Sequence, residues 1–260
     1  MIRSVAERQK IFQQKAQKIK NKNLWEKRGC QVVISARNAS DWLPIILNSV
    51  ENAMKNLDWV MHFADDESDD DTYKIVNFFS QHSSAKEFNL FKFKKAQTVA
   101  GAKNRIIEKT LGYKEDYPAV FLADADDFFT QERALVLPEI ARELNEGFLV
   151  GSWYHCKNGE KNLRKATNSI KTGLYGPWAT LMHVDMIPDD GQLFYEGMDA
   201  HEDMFLWDEF KSSGIKIVPV DSVIACYYNV RDGTVSRPWD VARQKKELAK
   251  YKNLKEELLV

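Results

Sequence analysis

Three acidic loops hold the side chains that could do chemistry in this sequence. The segment Phe121-Leu122-Ala123-Asp124-Ala125-Asp126-Asp127 delivers three carboxylates at the end of an apolar strand. In an extended segment Asp124 and Asp126 point the same way, because side chains alternate with period two. Two carboxylates on one side suit a hard divalent ion. Mg²⁺ takes one or two protein carboxylates and completes its shell with water and phosphate oxygens, so a site of this kind needs a diphosphate. An isolated pair with this spacing is common, and alone it reads first as a solvated loop or a set of helix caps.

Its neighbours change that balance. Asp65-Asp66-Glu67-Ser68-Asp69-Asp70-Asp71-Thr72 places five aspartates and a glutamate within eight residues, again straight after an apolar strand. A calcium loop of the EF-hand type is excluded, since the central glycine and the bidentate glutamate at its twelfth position are missing. Ser68 or Asp70 suits a helix cap, but capping does not need Asp65 and Asp66 as well. Glu202-Asp203 stands at the head of the apolar helical run Met204 to Trp207, where the helix dipole favours acids. Together the three loops predict metal ligands, a base-recognition acid and a general base on one rim of a sheet.

The elements that must position these loops alternate. Residues 31–35, 59–64, 88–93 and 119–123 read as strands, and 41–56, 72–81 and 102–111 as helices, with Gly101 just before the last of these. This predicts βαβ crossovers and a mainly parallel sheet with ligands at the carboxyl ends of its strands. Helix 135–145, strand 148–155, a polar connection over 157–171, an irregular glycine-rich stretch over 172–201, helix 203–213 and strand 215–220 follow. Residues 3–28 read as a basic amphipathic helix ended by Gly29, and 240–259 as a charged amphipathic helix. The expectation is an α/β fold divided into an N-terminal helix (1–28), one Rossmann-like domain (29–237, with a nucleotide-binding half 29–130 and an acceptor-binding half 131–237) and a C-terminal helix (238–260).

The chain has 260 residues, 44% of them hydrophobic, enough for one large core. Its net charge of −1 gives no overall bias toward nucleic acid or anionic lipid. No segment approaches the length of a membrane span and the first residues are polar, so a cytoplasmic protein is expected. Cys30, Cys156 and Cys226 read as reduced and structural, and the five histidines show no metal-ligand spacing.

These segments, in this order, resemble the inverting glycosyltransferase family 2 of the GT-A fold, over roughly residues 30–237. The resemblance implies a nucleotide-diphosphate sugar donor, with UDP as the expected nucleotide, and Mn²⁺ or Mg²⁺ as cofactor. Val33-Ile34-Ser35-Ala36-Arg37-Asn38 is similar to the family's first strand and nucleotide loop, implying that Ala36, Arg37 and Asn38 line the nucleoside pocket. Residues 65–72 are similar to D-D-G-S-x-D-x-T, so Asp65 and Asp66 belong to the donor site, Asp66 reads the base, and Glu67 replaces the usual glycine. Gly101-Ala102-Lys103-Asn104 resembles G-x-x-x-A-R-N, placing Lys103 and Asn104 at the donor with lysine where arginine is usual. By the same resemblance Asp124, Ala125 and Asp126 meet ribose, metal and diphosphate, Asp126 being the principal metal ligand and Asp124 the second. Glu202-Asp203 matches the family's acid pair, which makes Asp203 the catalytic base and Glu202 its support. In Tyr228 to Ser236, Arg231 stands where a histidine metal ligand is usual, which points it at phosphate instead.

Trp178 and Trp153 are candidate acceptor platforms. The acceptor is expected to be a glycan or lipid-linked sugar, with peripheral membrane contact through the basic terminal helices, or a hydroxymethylated base in DNA, as used by sugar transferases of tailed phages. Salt-sensitive affinity would mark the DNA case. Nucleotidyl transfer and a non-catalytic nucleotide-sugar-binding module are the competing classes. The first would want a glycine-rich phosphate loop, which Ala36-Arg37-Asn38 is not.

Overall fold

The computed structural model describes residues 3–20, 22–94, 98–157, 159–167, 176–229 and 241–258. Among these, nine strands form one sheet in the order β3-β2-β1-β4-β8-β6-β9-β5, with β7 paired to β6. The first half is the expected parallel layer. β1 (Cys30–Ala36), β2 (Trp59–Asp66), β3 (Glu87–Phe93) and β4 (Ala119–Asp124) run parallel through the pairs β2–β3, β1–β2 and β1–β4. β1 and β2 are buried nearly throughout, as strands covered on both faces must be. The helices α2 (Leu43–Met54), α3 (Thr72–Ser80) and α4 (Val99–Thr110) make the crossovers. A buried polar pair supports this layer from below: the Gln31 amide donates to the carbonyls of Tyr117 (2.6 Å) and Thr110 (3.3 Å), and its Oε1 meets His62 Nε2 at 2.9 Å.

The second half turns the sheet mixed. It contains β5 (Phe128–Phe129), α5 (Gln131–Leu144), β6 (Phe148–Lys157), β7 (Glu160–Arg164), β8 (Thr180–His183), α6 (Glu202–Ser212) and β9 (Val218–Asn229), with α7 (Val241–Leu258) closing the described chain. β4–β8, β6–β8, β6–β7 and β5–β9 are antiparallel, and β6–β9 is parallel.

Several expected boundaries move, each for a local reason. α1 (Val5–Lys20) stops well before Gly29, because Leu24 and Trp25 leave the helical path to pack on the second half. Leu24 N donates to Asn145 Oδ1 (3.0 Å) and Trp25 Nε1 to the Glu146 carbonyl (3.0 Å). Gly29 serves a close approach rather than a helix stop: a Cβ there would lie 2.3 Å from the Asp116 carbonyl oxygen. Gly101 sits inside the first turn of α4, whose cap is Thr98 Oγ1 accepting from Gly101 N at 3.0 Å. Thr130 likewise starts α5 at Gln131, ahead of the apolar run at Leu135. The expected polar connection 157–171 contains β7, and the expected loop 172–201 contains β8, too short to show a pattern. β9 runs to Asn229 rather than stopping at Val220. Asp221 and Ser222 interrupt its apolar sequence opposite the irregular register at Gly151 to Trp153.

Candidate active site

The loops after β1 and β2 are tied to each other. Asn38 N donates to Ser68 Oγ (2.9 Å), Asp69 N to Asn38 Oδ1 (3.0 Å) and Ala39 N to Thr72 Oγ1 (2.8 Å). Asp70 clasps both loops, accepting from Ser40 N at 3.0 Å and Thr72 N at 2.9 Å. What burial there is works to raise the Asp70 carboxyl, but these hydrogen bonds bring it down to about 2. Asp70 is therefore structural. Asp65 and Asp66 are buried at the β2 end, Asp65 Oδ1 accepting from Ser68 N (3.3 Å) while its Oδ2 has no hydrogen-bond partner. Ala36 is buried at the β1 end, and Arg37 and Asn38 stand exposed beyond it.

Strain collects at these loops. Asn38 (φ 51°), Glu67 (φ 58°) and His201 (φ 64°) occupy the left-handed region, where a side chain costs about 1–3 kcal/mol. Glu67 thus holds a backbone shape that favours glycine, and His201 immediately precedes Glu202.

β4 ends at Asp124. Ala125 and Asp126 form a turn closed by Asp127 N donating to the Asp124 carbonyl (3.3 Å), so strand alternation no longer governs Asp126. The expectation that Asp124 and Asp126 share a face is corrected. Asp124 borders a crevice with Ser35, Lys103 and Phe194, whereas Asp126 borders a larger cavity with Trp42, Phe128 and Tyr227. Asp127 is buried. Its Oδ1 accepts from Asn229 N at 2.9 Å and its Oδ2 has no hydrogen-bond partner. Burial, then the charges of Asp126 and Asp124, push its carboxyl well above the ordinary carboxylate range.

The first and third acidic loops meet through Lys103. Its ammonium lies 3.1 Å from Asp124 Oδ1 and 2.9 Å from Glu202 Oε1. Burial alone would lower this ammonium, but Asp124, Glu202 and Asp203 together raise it above its ordinary value. Asp203 follows in the first turn of α6, its Oδ1 accepting from Met204 N at 2.8 Å. Burial first, then Glu202, push its carboxyl up to about 7, against the pull of Lys103. Lys103, expected at the donor phosphates, is held between two carboxylates.

Asn104 is corrected more fully. It is buried and spent on the segment before α6, its amide donating to the Phe194 carbonyl (2.8 Å) and Gln192 Oε1 (3.2 Å) while its Oδ1 accepts from Phe194 N (2.8 Å). Trp153 is 4% exposed, a core residue and not a platform. Trp178 stacks on Tyr228 with ring centroids 4.4 Å apart, and its Nε1 has no hydrogen-bond partner. Gly176 makes room for that indole, since a Cβ there would lie 1.6 Å from it. Arg231 lies outside the described residues.

Two buried arginines complete the support, and sequence reasoning missed both. Arg133 donates to the Leu122 carbonyl (2.6 Å) and the Thr180 carbonyl (2.7 Å) beneath the β4 end, under the charges of Asp124 and Asp127. Arg8 of α1 meets Glu209 of α6 through Nε (2.6 Å) and Nη2 (2.7 Å), and donates to the carbonyls of Gln192, Leu193 and Phe194. A signal for Arg8 existed: it falls on the helical stripe of Val5 and Phe12, which is also buried. Arg133 carries the same signal, falling on the buried stripe of Leu137 and Ala141 in α5.

Asp124 and Glu202 meet through the Lys103 ammonium with Asp203 beside them, while Asp126 lies across the β4 turn and Asp127 behind it keeps a buried oxygen without a hydrogen-bond partner. Carboxylate oxygens of this kind are the donors a hard divalent cation takes. Among the described residues no three His, Cys, Asp or Glu side chains converge as a ready ligand set, so donor phosphates would have to complete the shell.

A family model described as Glycosyl transferase family 2 matches residues 31–206. Among solved structures, S. aureus TarS 1–349 in complex with UDP-GlcNAc superposes with a TM-score of 0.65 at 14% identity, covering 87% of this chain and 72% of that one. The mannosyltransferase PcManGT from Pyrobaculum calidifontis, in complex with GDP-Man and Mn²⁺, gives 0.55 at 14% identity, covering 95% and 71%. No curated protein sequence matches the chain.

Proposed function

The chain belongs to glycosyltransferase family 2, and on that premise we propose that it moves a sugar from a nucleoside diphosphate to an acceptor hydroxyl with inversion at the anomeric carbon. The Lys103 bridge carries this reading, because it sets the acid pair of α6 against the acidic loop of β4. The strapped loops after β1 and β2 take the nucleoside, with Ala36, Arg37 and Asn38 along it and Asp66 reading the base. Asp126 and Asp124, related by the β4 turn rather than by strand alternation, would hold Mn²⁺ or Mg²⁺, which would supply Lewis-acid neutralisation of the departing diphosphate. The neighbours' UDP-GlcNAc and GDP-Man make UDP- and GDP-sugars the first donors to test.

Asp203 takes the proton of the acceptor hydroxyl as its oxygen bonds to the anomeric carbon and the sugar–phosphate bond breaks. A carboxyl held near 7 matches a base working at neutral pH. Glu202 and Lys103 orient it, and Lys103 keeps a positive charge beside Asp124 throughout.

The test is a screen of nucleotide sugars with either metal, followed by glycan, lipid-linked and hydroxymethylated-DNA acceptors. A nucleoside diphosphate product supports sugar transfer, whereas pyrophosphate would indicate nucleotidyl transfer. The limb of kcat/KM on the acid side should fall below about pH 7, as Asp203 takes up a proton. Full transfer by Asp203→Asn would sink the assignment.

A further inference from the structure

We propose that the cavity between the first turn of α2 and the β5–β9 edge is a carbohydrate subsite that seats a neutral sugar ring of the acceptor, a reading that rests on the sugar transfer proposed above. The cavity measures about 420 Å³, within the range of small-ligand sites. Its walls are Trp42, Ile45, Phe128 and Tyr227, and three of them are unusually exposed for apolar side chains: Trp42 36%, Phe128 41% and Ile45 53%. Apolar groups left together at one concave place mark a binding surface.

The aromatic wall is held rigid. Phe128 sets its edge on Tyr227 at 6.1 Å, Tyr227 stacks on Tyr154 at 5.2 Å, and the Lys161 ammonium lies 5.0 Å from the Tyr227 ring. Flat, fixed faces suit the C–H side of a pyranose ring. The rim carries Asp126, Asn229 and Lys161, acceptors and donors matched to ring hydroxyls.

Other occupants fit worse. A polynucleotide backbone wants several cations, and among the described residues this rim carries one, Lys161. An alkyl chain would desolvate the polar groups of Asn229 and Lys161 at the rim and return no hydrogen bond. A sugar ring satisfies wall and rim together, and Asp126, which lines this cavity, is the residue given the metal in the sugar transfer proposed above.

The test is calorimetric titration of the full chain, with UDP and Mn²⁺ present, by linear hexasaccharides of glucose, N-acetylglucosamine, mannose and galactose, with decyl phosphate and a single-stranded oligonucleotide as competitors. At least one hexasaccharide should bind at about millimolar Kd. Trp42→Ala should weaken it about tenfold and Trp42→Phe, which keeps a ring, about threefold at most. Trp42 is 36% exposed, so thermal melts of both variants accompany the titrations and only folded protein is titrated. The subsite is overturned if no hexasaccharide binds, if binding ignores Trp42→Ala, or if decyl phosphate or the oligonucleotide is the ligand that depends on Trp42. Failure of UDP and GDP alike to bind the unaltered protein would instead undo the donor reading.

Discussion

The parallel half of the sheet and the mixed half solve different problems. β1 to β4 are joined by short strand–helix units, and the loops at their ends are strapped to each other across about thirty residues of sequence, as in Asn38 with Ser68 and Ser40 with Asp70. The mixed half owes its shape to ties across the whole chain. Arg8 holds Glu209 from 201 residues away, and from the other flank Tyr251 donates to Asp208 (2.7 Å) and Glu247 accepts from Asp199 N (3.1 Å). The helix that begins with Glu202 and Asp203 is thus gripped by α1 and α7, both outside the segment matched by the family model. The loops after β1 and β2 are built locally, whereas the acid pair depends on the ends of the chain.

The largest expected effect sets catalysis against donor affinity. Asp203→Asn should lower kcat by about 10²–10⁴-fold with donor affinity retained, whereas Asp66→Ala should act chiefly on donor KM. Steady-state kinetics with a saturating acceptor separates them, and a reversed pattern would erase the division between the halves.

Next comes the grip on α6. Arg8→Met should cost about 3–5 kcal/mol in urea unfolding, because Glu209 is left buried without its partner. The double change Arg8→Met with Glu209→Met should recover most of that loss, since an apolar pair of similar volume replaces the ion pair. If Arg8→Met proved harmless, α1 would be an appendage.

Much of the parallel half was legible because β1, β2 and β4 are largely apolar runs and its helices carry one clear stripe. The second half was less so. β8 is four residues long, and β9 is interrupted by Asp221 and Ser222, so neither shows a period that local pattern could catch. At the site, the three acidic loops were found by residue type, but their directions were not. Asp126 escaped the alternation rule because β4 ends at Asp124, and Lys103 and Asn104 were committed to partners about ninety residues or more away, Glu202 and Phe194. Long-range partners leave no trace in spacing.

Each half also holds one buried histidine. Burial lowers both His62 and His183 from 6.5 to about 4. The unfolded chain therefore binds these protons first, and stability falls as pH drops from 6.5 toward 4, by roughly 3 kcal/mol for each residue. Denaturant titrations at neutral and acid pH should show both contributions, and a variant lacking either imidazole should lose that residue's share of the acid sensitivity.

The smallest effect compares two caps. Thr98→Ala removes a local cap and should cost about 1 kcal/mol, while Thr130→Ala also loses the hydroxyl's hydrogen bond to the Ile224 carbonyl (2.5 Å) and should cost about 2 kcal/mol. Equal costs would weaken the contrast between local and distant support.

The Arg8–Glu209 pair also orders events in time. During synthesis at about 5–20 residues per second, α1 leaves the ribosome roughly 10–40 s before its carboxylate partner exists. A guanidinium destined for the interior waits in water for that interval. The helix bearing the acid pair gains its second grip only when α7 has been made, so a nascent chain cut short before α7 should present a nucleoside pocket without competent chemistry.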